Sequence, residues 1–514
     1  MIQMAKDSTA KTPDASRLLF GSCNSQHHTK QPLWPSIQSR NATAFVWGGD
    51  VVYGDDRMEW HGCCRKRLLG ADPPYLGQLL DDMKYRNPGY KSLLESGIEI
   101  FGTVDDHDYG INNGDRTYPW KVGNAVEFVN FLGLPQDSPM TKRAEQGLGV
   151  YGVQVYDFDR PRGQQLLSDV EAGLDDDLSV VSVDDGRKNE THVSLGPKTV
   201  AVFVLDIRSN KSPSITSIPA RFREDFDGDF LGPEQLRWFR NTIGRSTVAC
   251  NIIVNGLQVH PQRFFDGSKI EEWARYPMAR HHLYQAILQP NVRAPVIVSG
   301  DVHHAQFLRK DCRRQPKHSF RQILEVTTSG MTHSWGSNEL CGRANMNPLC
   351  HMYFFKRMAG TIVKWSHEYS AWPFLIKDKD GNLQYTLELN FAEFEFDWEA
   401  QSLHLKILGT KVAGSPLLSV ELTLDELTNL SPAQTRVSDF DFETEQRHLN
   451  VTDEDFICVD YRGLANPFHY YAAIALTMSL VSSAMFLTFC SGPILALIVY
   501  KRRRSSRQQK VKES

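Results

Sequence analysis

The chain has 514 residues, 41% of them hydrophobic and 23% charged, which is enough for one large domain or two medium ones with a sizeable core. Its 57 basic residues face 61 acidic ones for a formal net charge of −4, so no overall basic field favours a nucleic-acid partner. Nine cysteines in a chain of this length exclude a disulfide-built scaffold, and no CxxC pair marks a zinc knuckle or a thioredoxin-type centre.

Residues 1–16 are polar and lack the apolar core of a signal peptide, and they read as a disordered lead. RLLFGSC (17–23) is the first expected strand. AFVWGGDVVY (44–53) reads as a buried strand running into a Gly-Gly-Asp loop. Leu76, Leu79, Leu80 and Met83 have helical spacing. IEIFGTVDDHD (98–108), TVAVFVLDIRS (199–209), ACNIIVNGLQVH (249–260) and APVIVSGDVHH (294–304) are further short apolar runs, each ending in polar residues. Helices are expected between them, at 232–243 and 274–289. The recurrence predicts an α/β layered fold with its site beyond the carboxyl ends of the strands, where Cys23, Asp50, Asp106, His260, Asp301 and His303 would gather.

Residues 160–197 are polar and read as a surface insertion, and the strands expected after residue 380 close a domain spanning 17–410. The acidic stretch 411–469 reads as a stalk. Residues 470–500 contain no charged side chain and are followed by KRRRSSRQQK, the pattern of one transmembrane helix with a basic tail at 501–514. The positive-inside rule puts that tail in the cytosol and the large domain on the extracellular or lumenal face. The Asn-X-Ser/Thr sequons at Asn41, Asn189, Asn210 and Asn450 are compatible with a glycoprotein on that face. The absence of a signal peptide favours the alternative, a tail anchor with a cytosolic domain. Cys341 and Cys350 are placed to form a local disulfide if the domain is exported.

Three segments carry chemistry. Asp50 directly follows a buried strand, where its two carboxylate oxygens can bridge two cations, and Tyr53 lies three residues on. Asp105, Asp106, His107 and Asp108 pack three carboxylates and an imidazole onto one loop; buried together they would repel one another unless cations were bound. Asp301 and His303 are two apart, on one face of an extended segment, a carboxylate-imidazole pair suited to zinc, iron or manganese. His260 is a further candidate ligand.

Taken in order, Gly21-Ser22-Cys23, Gly49-Asp50-Val51-Val52-Tyr53, Asp105-Asp106-His107-Asp108 and Gly300-Asp301-Val302-His303 resemble the alkaline phosphatase D (PhoD-like) branch of the calcineurin-like metallophosphatases, as does TTSGMTHS at 327–334. The resemblance covers roughly residues 17 to 400. It implies a four-layer α/β/β/α sandwich and hydrolysis of phosphate mono- or diesters at a two-metal site. It also implies Cys23, Asp50 and Tyr53 around a ferric ion, with Asp50 bridging to calcium. Asp106 stands where the wider superfamily usually has Asn, and Asp301 where it usually has His. His303 matches the final ligand, His107 the group that protonates the leaving oxygen or steadies the transition state, and Asn112 a contact to phosphate or metal. The alternative is a non-catalytic membrane-anchored ectodomain with a vestigial site.

Overall fold

The computed structural model describes residues 16–28, 30–56, 58–61, 64–67, 70–168, 195–213, 224–262, 271–314, 319–337, 371, 374–378, 380–429 and 440–460, with Ser479, Ser482 and Ser483. The strands are β1 (Ser16–Gly21), β2 (Ala44–Gly48), β3 (Met58–His61), β4 (Cys64–Arg67), β5 (Glu99–Thr103), β6 (Gly152–Asp157), β7 (Thr199–Val204) and β8 (Cys250–Val254). They continue with β9 (Pro295–Ser299), β10 (Ala305–Arg314), β11 (Ser319–Thr328), β12 (Tyr385–Thr386), β13 (Phe391–Asp397), β14 (Ser402–Leu408), β15 (Leu418–Thr423) and β16 (Ile457–Cys458). One sheet runs β15-β14-β13-β1-β2-β5. The other runs β12-β10-β11-β9-β8-β7-β6, with β16 also on β10, and β3 and β4 form a separate hairpin.

Strand alternation explains how the layers stack. Val200, Val202 and Val204 of β7 point into the apolar cluster that also holds Leu18, Phe20 and Val46 of the first sheet, while Ala201 and Phe203 point the other way. On that far side Phe203 meets Trp238 and Phe239 of the helix Gly232–Arg245, and Leu283 of the helix Pro277–Ile287 joins the same cluster. In the first sheet Phe45 and Trp47 of β2 pack on Trp34 and Tyr90, from the helices Trp34–Gln38 and Pro88–Glu95. The result is a mixed α/β fold with helices on the outer face of each sheet. Burying such two-faced strands requires near-continuous apolar runs, which is what β2, β7, β8 and β9 carry.

The central strands run parallel. β1 pairs with β2 and β2 with β5 in one sheet, and β7, β8, β9 and β11 follow one another in the second. Their carboxyl ends therefore gather the loops 22–28, 49–55, 104–114, 205–211, 255–260, 300–304 and 329–337.

One sequence expectation is corrected here, and one unexpected bond appears. The segment 411–469 is not a simple stalk: β15 completes the first sheet against β14, and Leu424 and Leu427 of the helix Leu424–Thr428 enter the main core. Leu418, Val420 and Leu422 alternate with polar residues, so an acidic composition hides a one-faced edge strand. Further on, Cys458 in β16 is joined by a disulfide to Cys312 in β10, 146 residues earlier, a pairing that cysteine spacing cannot show. The proposed Cys341–Cys350 bond, most of the 160–197 insertion and the 470–500 span except Ser479, Ser482 and Ser483 lie outside the described residues. Among the described residues no helix is long and apolar enough to cross a membrane. Met1–Val459 and Asp460–Ser514 form two separate units.

Candidate metal centre

The loops that follow β1, β2 and β9 turn sharply at residues other than glycine. Cys23, Asp50, Asp301 and His303 all have positive φ, between 55° and 66°. A left-handed backbone is costly for residues with a Cβ and persists only where surrounding structure enforces it, most often at functional sites. Gly49 answers a different need. At φ 92° it passes so close to Asp105 that an added Cβ would lie 2.4 Å from the Asp105 Cβ. This contact lets the Asp50 and Asp106 loops meet.

Backbone and side-chain hydrogen bonds tie the loops together. The Asn24 amide donates to the Asp50 carbonyl at 2.7 Å, and the Met331 amide to the Ser22 carbonyl at 3.2 Å. Asp108 accepts from the amides of Val51 at 2.9 Å and Asp105 at 2.6 Å, so this acid braces two loops instead of facing the centre. Ser329 accepts from the His303 amide at 2.7 Å and lies 3.0 Å from the Cys23 sulfur.

These braces bring Asp50, Asp105, Asp106 and Asp301 together, with one oxygen of each within 4.8 Å of the others, and Asp50, Asp106 and His107 form an overlapping group. Cys23 Sγ is 3.5 Å from Asp50 Oδ2. The Tyr53 ring stacks on His107 at 3.9 Å, and its hydroxyl is 3.2 Å from His333 Nε2. The His303 ring lies 4.3 Å from that of His333.

The electrostatics follow from burial. Removal from water raises the pKa of Asp50 and Asp301 well above the usual carboxylate range, and the surrounding carboxylates push the same way. Burial also raises Cys23 and Tyr53, with Asp50 contributing. Burial opposes ionisation of Asp106 too, but His107, Arg208 and the Asn113 amide outweigh it and hold this carboxyl at about 2. For His303 burial and the neighbouring His107 lower the pKa to about 3, so the ring is neutral. Burial lowers His107 as well, yet Asp106, Asp50 and Asp55 reverse the balance and raise its pKa above the ordinary imidazole value.

The residues fit a bound cation. Asp105 Oδ2, Asp106 Oδ1 and His303 Nδ1 are buried without a hydrogen-bond partner, although buried polar atoms are normally satisfied. A metal ion would supply the missing partner, stabilise the ionised acids and use the free imidazole nitrogen.

A family model described as PhoD-like phosphatase matches residues 182–364. Alkaline phosphatase D of Bacillus subtilis (strain 168) is 25% identical over 161 residues, which is 28% of this chain. Residues 182–364 are thus similar to PhoD-like phosphatases. The match spans 27% of the length of that PhoD relative. A solved structure of PhoD, 14% identical, covers 83% of this chain and 74% of its own, with a TM-score of 0.45.

Of the expected PhoD-like site residues, the fold gathers Cys23, Asp50, Asp106, His107 and Asp301, with Tyr53 and His303 against them. It does not gather Asn112, which is exposed and bonds Asn113; the Asn113 amide is the group that reaches Asp106, at 2.7 Å. His260 is a correction. Its Nδ1 lies 3.1 Å from the Tyr284 hydroxyl and its Nε2 2.9 Å from the Ile323 carbonyl, so both nitrogens are occupied in the core. Sequence reasoning missed Asp55, whose carboxylate is 2.6 Å from His107 Nδ1. It also assigned no role to Ser329 or His333. Both lie in TTSGMTHS, so a signal was present, but nothing in one sequence ties a serine to residues some 300 positions earlier.

Proposed function

We propose that this chain is a metal-dependent phosphoesterase in which Asp50, Asp106 and Asp301 hold cations at the ends of the parallel strands. The observation that carries the reading is the convergence of four carboxylates, three buried and Asp301 half-buried, in which one oxygen each of Asp105 and Asp106 has no hydrogen-bond partner. The thiol of Cys23 and phenol of Tyr53 beside Asp50 support a trivalent iron in one position, since anionic sulfur and oxygen donors suit it. The all-oxygen remainder supports calcium in the other.

Bound cations would supply an activated water and positive charge for the phosphoryl oxygens. The side chains do the rest. Asp55 fixes the His107 ring through Nδ1, Tyr53 packs on its face, and Nε2 is left 3.9 Å from Asp106 Oδ1. His107, kept protonated by the surrounding acids, donates its Nε2 proton to the departing oxygen. Cleavage of diesters as well as monoesters belongs to this proposal.

The proposal includes a membrane tether through residues 470–500, supported by their uncharged composition and the basic run that follows. The Cys312–Cys458 disulfide supports an extracellular or lumenal catalytic domain, because such bonds persist in oxidising compartments.

The test is Asp50→Asn with p-nitrophenyl phosphate and bis-(p-nitrophenyl) phosphate as substrates. Asn tolerates the left-handed backbone at this position, so the variant should fold while losing the bridging charge. Turnover of both esters is expected to fall by more than about 100-fold, beyond the usual effect of an outer-shell metal partner. A folded variant with wild-type turnover would end the proposal.

A further inference from the structure

Behind the acids lies a second buried charge cluster. Arg208 and Lys211 are almost fully buried, with side chains 0% and 1% exposed. In a phosphatase the simplest role for two such cations is to grip substrate phosphate. Their partners exclude it. Arg208 Nε donates to Asp105 Oδ1 at 2.6 Å, and its Nη1 pairs with Glu271. The Lys211 ammonium pairs with the other Glu271 oxygen and donates to the carbonyls of Asn113 at 2.9 Å and Gly114 at 3.3 Å. The four side chains sum to zero formal charge, and the one guanidinium nitrogen without a hydrogen bond, Arg208 Nη2, lies 2.5 Å from Asp105 Oδ1.

What this cluster grips is the loop that carries Asp106. Arg208 holds Asp105, the residue before it. Lys211 holds the peptide of Asn113, whose amide donates to Asp106 Oδ2 at 2.7 Å. Asn113 sits in a left-handed turn, at φ 57°, which Asn tolerates. With Oδ2 engaged, only Oδ1 remains unpartnered, and it belongs to the group that converges on Asp50 and Asp301. Freed from Lys211, the 110–114 turn could relax and Asp106 could rotate, so that either oxygen, or neither, faced the centre.

We infer that Lys211, Arg208 and Glu271 are positioning residues that present a single Asp106 oxygen to a cation and so set metal affinity without touching substrate. The inference rests on the metal-centre reading above.

The experiment measures calcium and manganese binding to the full chain by isothermal titration calorimetry, alongside kcat and KM, for wild type and Lys211→Met. Affinity for one cation should fall about 10- to 100-fold, as for other outer-shell partners, and excess metal should restore kcat with KM for the ester unchanged. A raised KM at wild-type metal affinity would make Lys211 a phosphate contact and overturn the inference, as would no change in either quantity. Lys211→Met leaves Glu271 short of a partner, so a paired variant, Lys211→Met with Glu271→Gln, keeps the formal charge balanced around Arg208 and Asp105. It should show the same loss of affinity; wild-type affinity in the paired variant also overturns the inference. If wild type itself binds no cation, the metal-centre reading fails first.

Discussion

Two clusters of buried acids sit in one sheet system and are treated in opposite ways. On the first sheet, Glu393 of β13 is fully buried and lies within ion-pair distance of Arg17, Arg40 and Lys406, while neighbouring Glu395 pairs with Arg17 and Lys406. Every acid there has a cation supplied by the chain. At the carboxyl ends of the strands, Asp50, Asp106 and Asp301 meet with Asp105, and only Asp105 is in contact with a guanidinium. A buried carboxylate must be paired or protonated. The first cluster is complete as translated, whereas in the second one buried oxygen each of Asp105 and Asp106 has no hydrogen-bond partner. The difference separates stabilising charge from functional charge, and neither composition nor net charge reveals it.

The comparison can be broken from either side. The largest effect is expected at the incomplete cluster: His107→Asn removes the proton donor, and turnover should fall by about 10²- to 10⁴-fold with metal content unchanged, as read by steady-state kinetics and metal analysis. Next, Cys312→Ser opens a bond that spans 146 residues and should cost about 2–4 kcal/mol without altering turnover. At the complete cluster Glu393→Gln should leave turnover intact and cost about 1.5–3 kcal/mol of folding stability in denaturant titration, because it weakens charged hydrogen bonds from half-buried Arg40 and Lys406. A loss of metal in that variant would show that the two clusters are not separable.

The same contrast explains what a single sequence discloses. The acids of the centre follow strands whose apolar runs are plain to read, so Asp50, Asp106 and Asp301 could be placed together before any coordinates. The mixed α/β layering was legible for the same reason. Roles inside DDHD were not. Asp105, Asp106 and Asp108 are chemically alike, and only their partners tell them apart: Arg208 on Asp105, the Asn113 amide on Asp106 and the Val51 amide on Asp108. His260 resembled a ligand because it ends a strand, yet its ring turns into the core toward Tyr284. The Cys312–Cys458 pair and the β15 edge were hidden by sequence distance and by acidic composition.

The most direct test is to count metal in the purified protein by inductively coupled plasma mass spectrometry, with the Asp50→Asn variant alongside. At least two cations per wild-type chain, and fewer in the variant, are predicted from a carboxylate shared between two positions. Metal-free wild-type protein that still hydrolyses phosphate esters, or equal metal in both proteins, would contradict it.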